Sequence, residues 1–422
     1  MRLHVAWGLI VLGACREPTA APPPPVPVVV APAPPQAAAA TPAPSKAHSE
    51  ALRPHREDAV VDCPVELDDQ ADDDTRAAAL LEAANKQIVA GDLAAAWTCA
   101  DRAGDLVPAS VEAHHLRGAS LAALGRDKEA QLAYSLALSL DPDDPETLRA
   151  VADFYINGKG DHGRDALRLG LELAQRGSRR VVSRRRKLPL AADLAVLEGQ
   201  ALNDLGRSDE ALVRIEAALR LAPGRGDGLH EKGVALFDLS RFAEAKAMFV
   251  RALAIQPDDP FTHQMMGLTL EQLGDEVGAA RSLDRAVALA PTEVSRPVHA
   301  TTAELQQEVD AIVAGLPAER RHRVRAIKVE IVDLPDSADL AAVSPPFPPT
   351  ILGLYRGPVG RNAHAVQTAD GEPPSIVLYR KNLARAVKTR AELSEQVRDT
   401  LLHEIGHLEG LDEDDLRRRG ME

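Results

Sequence analysis

His403 and His407 stand four residues apart, with Glu404 beside the first, in the run His403-Glu404-Ile405-Gly406-His407 near the C-terminal end of a 422-residue chain. Residues four apart on a helix share a face, so both imidazoles can point at one metal ion. Glu404 is then placed to hold and deprotonate a water, not to bind the metal itself. Zinc is the expected ion, because it lowers the pKa of such a water towards neutrality. The chemistry implied is zinc-dependent hydrolysis of a peptide bond.

The surroundings of the motif support a metal site. Leu401, Leu402, Ile405 and Leu408 form an apolar stripe at helical spacing. Gly410 follows His407 by three residues, where a left-handed residue can end the helix. The acidic cluster Asp412, Glu413, Asp414 and Asp415 then offers a third ligand. The pattern HExxHxxGxxE selects Glu413, six residues after His407, with Asp412 as the alternative.

The elements that must position these residues can be read upstream. Residues 303–316 have a helical pattern ending at Gly-Leu-Pro, and 326–335 alternate like a strand bounded by Pro. Residues 343–350 are too rich in Pro for a central strand and read as a loop or an edge. ILGLYRG (351–357) and SIVLYR (375–380) are two further strands, joined by a polar loop. The metal-binding helix is expected to begin near Leu393 or Ser394. One open strand edge beside the metal would let an extended peptide add as a further strand. Tyr355 or Tyr379 could then donate to the oxyanion, although strand tyrosines also serve as packing residues.

From about Thr301 to the end, the chain resembles the small zincin-like metallopeptidases often called minimal metalloproteases. The segments that carry the resemblance are ILGLYRG (351–357), PSIVLYRKNLAR (374–385) and LLHEIGHLEGLDEDDL (401–416), in that order. The resemblance implies a small α+β domain whose C-terminal helix presents the motif to zinc. It makes His403, His407 and Glu413 the ligands and Glu404 the general base. Two positions depart from the family pattern: Leu408-Glu409 stands where a bulky pair is frequent, and Glu413 where Asp is commoner.

The N-terminus suggests where the chemistry takes place. An apolar stretch from Val5 to Ala14 closes on Leu12-Gly13-Ala14-Cys15, which resembles a bacterial lipoprotein signal cut before a lipidated Cys15. The stretch is too short to span a bilayer permanently. On this reading residues 1–14 are a signal peptide and the protein is lipid-anchored in the cell envelope, facing the periplasm or held at the outer membrane. The alternative is a cytoplasmic protein with a fortuitously apolar N-terminus. Residues 15–74 read as a disordered tether, first Pro/Ala-rich (18–44) and then increasingly acidic.

Between tether and catalytic region, over 75–295, lies an internal repeat. Pro108 and Pro142 are 34 residues apart, and Pro223, Pro257 and Pro291 continue at the same spacing. Gly118, Gly199, Gly233 and Gly267 lie 24 residues before their Pro, and Ala130, Ala211, Ala245 and Ala279 lie 12 before. Small residues at fixed offsets allow two helices to pack closely, and Pro stops the second. The pattern resembles the tetratricopeptide repeat, with five matching units at 77–110, 111–144, 192–225, 226–259 and 260–293. Residues 145–177 keep helical pattern without the offsets, as a decayed repeat or irregular helices. Such arrays present a surface for a protein or peptide partner.

Arg176 to Lys187 places seven basic residues in twelve within a chain of net charge −14. This loop could meet an anionic partner, a lipid head group or the acidic 66–74 segment, or simply be solvated. Few aromatics, an acidic balance and no recognition motif argue against a nucleic-acid partner. Cys63 and Cys99 could pair in an oxidising compartment, or Cys99 could be a buried thiol.

The expected architecture is multidomain: a tether, an all-α tetratricopeptide solenoid and a zincin-like α+β domain over 300–422. Few contacts need cross residues 295–302, so a fragment from Ser295 onward is expected to fold alone. The expected function is a membrane-tethered zinc metallopeptidase whose repeats recruit a protein partner or substrate. The alternative is a non-catalytic scaffold lipoprotein of an envelope complex, with a structural or vestigial zinc site.

Overall fold

The computed structural model describes residues 61–158, 163–181, 188–357 and 373–420. Cys15, the Pro/Ala-rich stretch, residues 182–187 of the basic run and most of the polar loop after ILGLYRG lie outside the described residues. The chain divides between Ala201 and Leu202 into two compact units.

The first unit holds α1 (Asp73–Ala90), α2 (Leu93–Leu106), α3 (Val111–Ala123), α4 (Asp127–Leu140), α5 (Pro145–Asn157), α6 (Arg164–Val181) and most of α7 (Leu188–Asp204). Successive helices pack in pairs, and α3 also touches the first helices of the pairs on either side, α1 and α5. Residues 145–181 form such a pair too, despite lacking the small-residue offsets. Asp92, Ser110 and Asp144 cap α2, α3 and α5, each accepting from a backbone N–H three residues on. Pro108 and Pro142 each fall two residues after a second helix, where a residue without N–H cannot extend it.

Residues 61–72, which composition assigns to the tether, lie against the first helix pair. Cys63 is bonded to Cys99 of α2, and both are buried in a cluster with Leu80, Ala84 and Ala103. Thr98 Oγ1 donates to the Val61 carbonyl at 2.9 Å, and Val65 and Leu67 pack on the same cluster. In the basic run, Arg176 Nε donates to Asp143 at 2.9 Å and Arg180 pairs with the same carboxylate. Part of that positive charge is therefore answered within the chain.

The second unit continues the repeats with α8 (Ser208–Leu221), α9 (Gly226–Asp238), α10 (Phe242–Ile255), α11 (Pro260–Gln272) and α12 (Glu276–Leu289). It then folds differently: α13 (Thr302–Gly315), α14 (Ala318–Arg325), β1 (Lys328–Val332), α15 (Ser337–Leu340), β2 (Gly353–Arg356), β3 (Ser375–Tyr379), α16 (Arg380–Arg385), α17 (Arg390–Leu408) and α18 (Glu413–Arg418). The three strands form one sheet in the order β1-β3-β2, with β1 parallel and β2 antiparallel to β3. Alternation sends Tyr355, Ile376, Leu378, Val329 and Ile331 to one face, where they pack with Leu393, Val397, Leu401 and Ile405 of α17. Leu354, Val377, Tyr379 and Val332 point to the other face, against Leu340, Ile351 and Phe347.

Phe242, the first residue of α10, packs on that second face. Glu271 of α11 accepts from Arg385 at 2.5 Å and lies 3.3 Å from Lys381 Nζ, and Lys381 also donates to Glu276 at 2.9 Å. The segment between repeats and sheet is held as well: the Val298 N–H donates to Ala384 at 2.9 Å, and Ala300 is buried in the α17 cluster. Residues 295–302 are thus not a bare linker, because the last repeats supply part of the cover for the sheet. The architecture is a mostly helical tetratricopeptide-like solenoid with a small three-stranded domain at its C-terminal end.

Candidate metal centre

The site is built on α17, which begins at Arg390, three residues before the expected Leu393. The reason is a capping box: Thr389 Oγ1 accepts from the Glu392 N–H while the Glu392 carboxylate accepts from the Thr389 N–H. Leu393, Val397, Leu401 and Ile405, each four residues on from the last, are buried on the core face. His403, Glu404 and His407 are buried as well, at 6, 6 and 5 % exposure, so these polar groups need partners. Gly410, at φ 82°, turns the chain out of the helix as expected.

His403 Nε2 lies 3.1 Å from His407 Nε2, and Glu413 Oε1 lies 3.7 Å and 3.2 Å from these two nitrogens. Zinc with nitrogen and oxygen ligands in a tetrahedron needs donors about 3.3 Å apart. The donor triangle therefore fits zinc. His407 Nδ1 sits 3.1 Å from the Leu411 carbonyl, which can only accept, so Nδ1 carries the proton and Nε2 keeps the lone pair for a metal.

The acidic cluster divides its work. Asp412 is the N-cap of α18, its carboxylate accepting from the Asp415 N–H at 2.8 Å. Glu413 opens the first turn of the same helix and reaches the imidazoles. Leu416 seats α18 on α17: it is fully buried, and a Cβ placed on Gly406 would stand 2.3 Å from its Cδ2. Gly406 thus allows the approach that delivers Glu413. Beyond His407, Glu409 accepts two bonds from Arg320 of α14, at 2.8 and 2.7 Å, fixing the end of the metal helix.

Glu404 faces β2. A Cβ on Gly353 would lie 2.7 Å from Thr400 Cγ2 and 3.2 Å from Glu404 Oε1, so the strand and the helix meet where the strand has no side chain. Burial pushes the Glu404 carboxyl above its usual range, with His407 and His403 opposing, Glu413 adding to the rise and a backbone hydrogen bond from Tyr355 opposing it. For His407 burial acts downward, but its Glu413 partner and the Glu404 charge carry it above the ordinary imidazole value.

The two tyrosines are packing residues. Tyr379 is fully buried and donates its hydroxyl to Asp339 at 2.8 Å; Tyr355 is 4 % exposed within the α17 cluster. Gly353, Gly406, Arg320 and Asp339 had no role in the sequence reading. Only Gly353 carried a signal, as the glycine inside ILGLYRG.

A family profile described as zincin-like metallopeptidase matches residues 324–421, and one described as tetratricopeptide repeat matches 111–144 and 227–259. The chain carries tetratricopeptide repeats followed by a C-terminal zincin-like domain. Among solved structures it is similar to that of pilF from Pseudomonas aeruginosa, at 15% identity over 52% of this chain and 94% of that one, with a TM-score of 0.44. It is also similar to PilW, described as a widely conserved type IV pilus biogenesis factor, at 15% identity, 52% and 96% coverage and a TM-score of 0.44. A third is YrrB, described as a TPR protein with an unusual peptide-binding site, at 16% identity, 46% and 93% coverage and a TM-score of 0.34. No curated protein matches the chain.

Proposed function

We propose that the chain is a zinc-dependent metallopeptidase whose repeats recruit a protein or peptide, and that lipid on Cys15 tethers it in the cell envelope. The observation that carries the reading is the donor triangle of His403, His407 and Glu413 with the buried Glu404 on the same helix. A purely structural site would have no use for that carboxylate.

When bound, zinc supplies Lewis-acid polarisation of the scissile carbonyl and a water acidic enough to ionise near neutral pH. The protein's own groups do the rest. Glu404 takes the proton of the attacking water and returns it to the departing amine nitrogen, a role suited to a carboxyl whose pKa burial has raised. The Leu411 carbonyl and the Arg320–Glu409 pair hold His407 and its helix end in place. β2 is a sheet edge. The Leu352 carbonyl accepts from the Tyr379 N–H, so alternation turns the backbone groups of Gly353 and Tyr355 away from β3. The Tyr355 N–H is held by the Glu404 carboxylate, so an extended peptide can pair with Gly353 and the Tyr355 carbonyl and lie beside Glu404.

Metal removal tests the reading. The full chain is expected to cleave an unstructured peptide, to stop when a chelator removes zinc and to recover with one equivalent per chain. Hydrolysis that survives complete loss of zinc would sink it.

Export is supported by the Cys63–Cys99 disulfide, a bond that persists in oxidising compartments. Wild-type protein expressed in a bacterial envelope is expected to partition into detergent, and Cys15→Ser into the aqueous phase. Wild-type protein recovered in the aqueous phase with Met1 intact would refute the anchor.

A further inference from the structure

We infer that Asp339 is a positioning residue for the strand that faces Glu404, clamping β2 to the sheet from the face opposite the metal helix. β2 has only four residues and, among the described residues, pairs on one side alone, so its ladder bonds fix its height and tilt weakly. Alternation divides its side chains: Gly353 and Tyr355 turn towards α17, Leu354 and Arg356 away from it.

Arg356, the last residue of the strand, forks onto Asp339, with Nε and Nη2 at 2.8 and 2.6 Å from the two carboxylate oxygens. The same carboxylate accepts the Tyr379 hydroxyl from the central strand at 2.8 Å. Asp339 is 4 % exposed, and its own N–H is held by the Asp336 cap at 2.8 Å. One buried carboxylate therefore joins the end of the edge strand to the last residue of the strand it pairs with. A two-pronged bond resists rotation as well as separation. What it holds steady is the approach of Gly353 to Thr400 and Glu404, where a few tenths of an ångström matter.

The catalytic consequence rests on the peptidase reading; the anchoring of the strand does not. The test uses the full chain with Asp339→Asn, which keeps the volume but loses the charge and one acceptor, alongside Arg356→Lys and Tyr379→Phe. Hydrogen exchange should accelerate on the order of tenfold across residues 351–357 in Asp339→Asn, with α17 unchanged. With a fluorogenic peptide, KM should rise by roughly tenfold while kcat and zinc content stay within about twofold. Arg356→Lys should reproduce the effect, since a point charge cannot fork, and Tyr379→Phe should show a smaller one. Unchanged exchange at 351–357, or exchange that rises evenly through the domain, overturns the inference. So does a fall in kcat at constant KM. A zinc-loaded wild type that cleaves nothing counts against the peptidase reading alone, because the exchange measurement still decides the role of Asp339.

Discussion

Glu404→Gln is expected to bind one zinc per chain and to lose peptide hydrolysis by roughly 10²–10⁴-fold, the usual worth of a general base. The substitution keeps the size of the side chain and its contact with Gly353, and removes the negative charge and with it the capacity to take a proton. His403→Ala and His407→Ala should behave differently. Each deletes one corner of the donor triangle, so stoichiometric zinc should vanish and activity with it. Glu413→Ala should weaken zinc more than Asp412→Ala, whose loss removes a helix cap. Atomic absorption and peptide cleavage on the same preparations separate these effects. Undiminished cleavage by Glu404→Gln would end the proposed mechanism.

The second large effect is expected in stability, where repeats meet sheet. Glu271 is 6 % exposed and is shared by Arg385 and Lys381, at 20 and 15 %. Removing the carboxylate by Glu271→Ala leaves two half-buried cations without it and should cost about 3 kcal/mol. A fragment from Ser295 to Glu422 loses Glu271 and Glu276 together with Phe242, which covers the second sheet face. It should melt well below a fragment that begins at Gly226 and retains α9 to α12. Equal melting temperatures would show that the sheet domain needs nothing from the repeats.

Where the sequence read correctly, the signal was local or periodic. The histidine spacing is a property of one helix, and the prolines two residues beyond α2, α4, α8, α10 and α12 mark the same event five times. The capping box at Thr389 and Glu392 is equally local, and it starts the helix at Arg390, ahead of the expected Leu393 or Ser394. Spacing favoured Glu413 over Asp412, but that Asp412 caps α18 while Glu413 reaches the imidazoles depends on how Leu416 seats that helix against Gly406. Asp339 lies 17 residues from Arg356 and 40 from Tyr379, and Phe242 reaches the sheet from another repeat. Partners so distant in the chain leave no pattern in it. Cys63 and Cys99 offered only a count of two until the fold set their Cα atoms 4.9 Å apart.

That bond also decides how tension would travel. A pull on the chain N-terminal to Cys63 is passed by the covalent link directly to Cys99 on α2. The residues between them, 64–98, which include all of α1, are bypassed. The first helix is thereby spared from peeling, the easiest way to unravel a stack of repeats from its end. Load enters instead through α2, which packs on both α1 and α3. Under reducing conditions the same pull would strip α1 first, and the array would shorten from its N-terminal end.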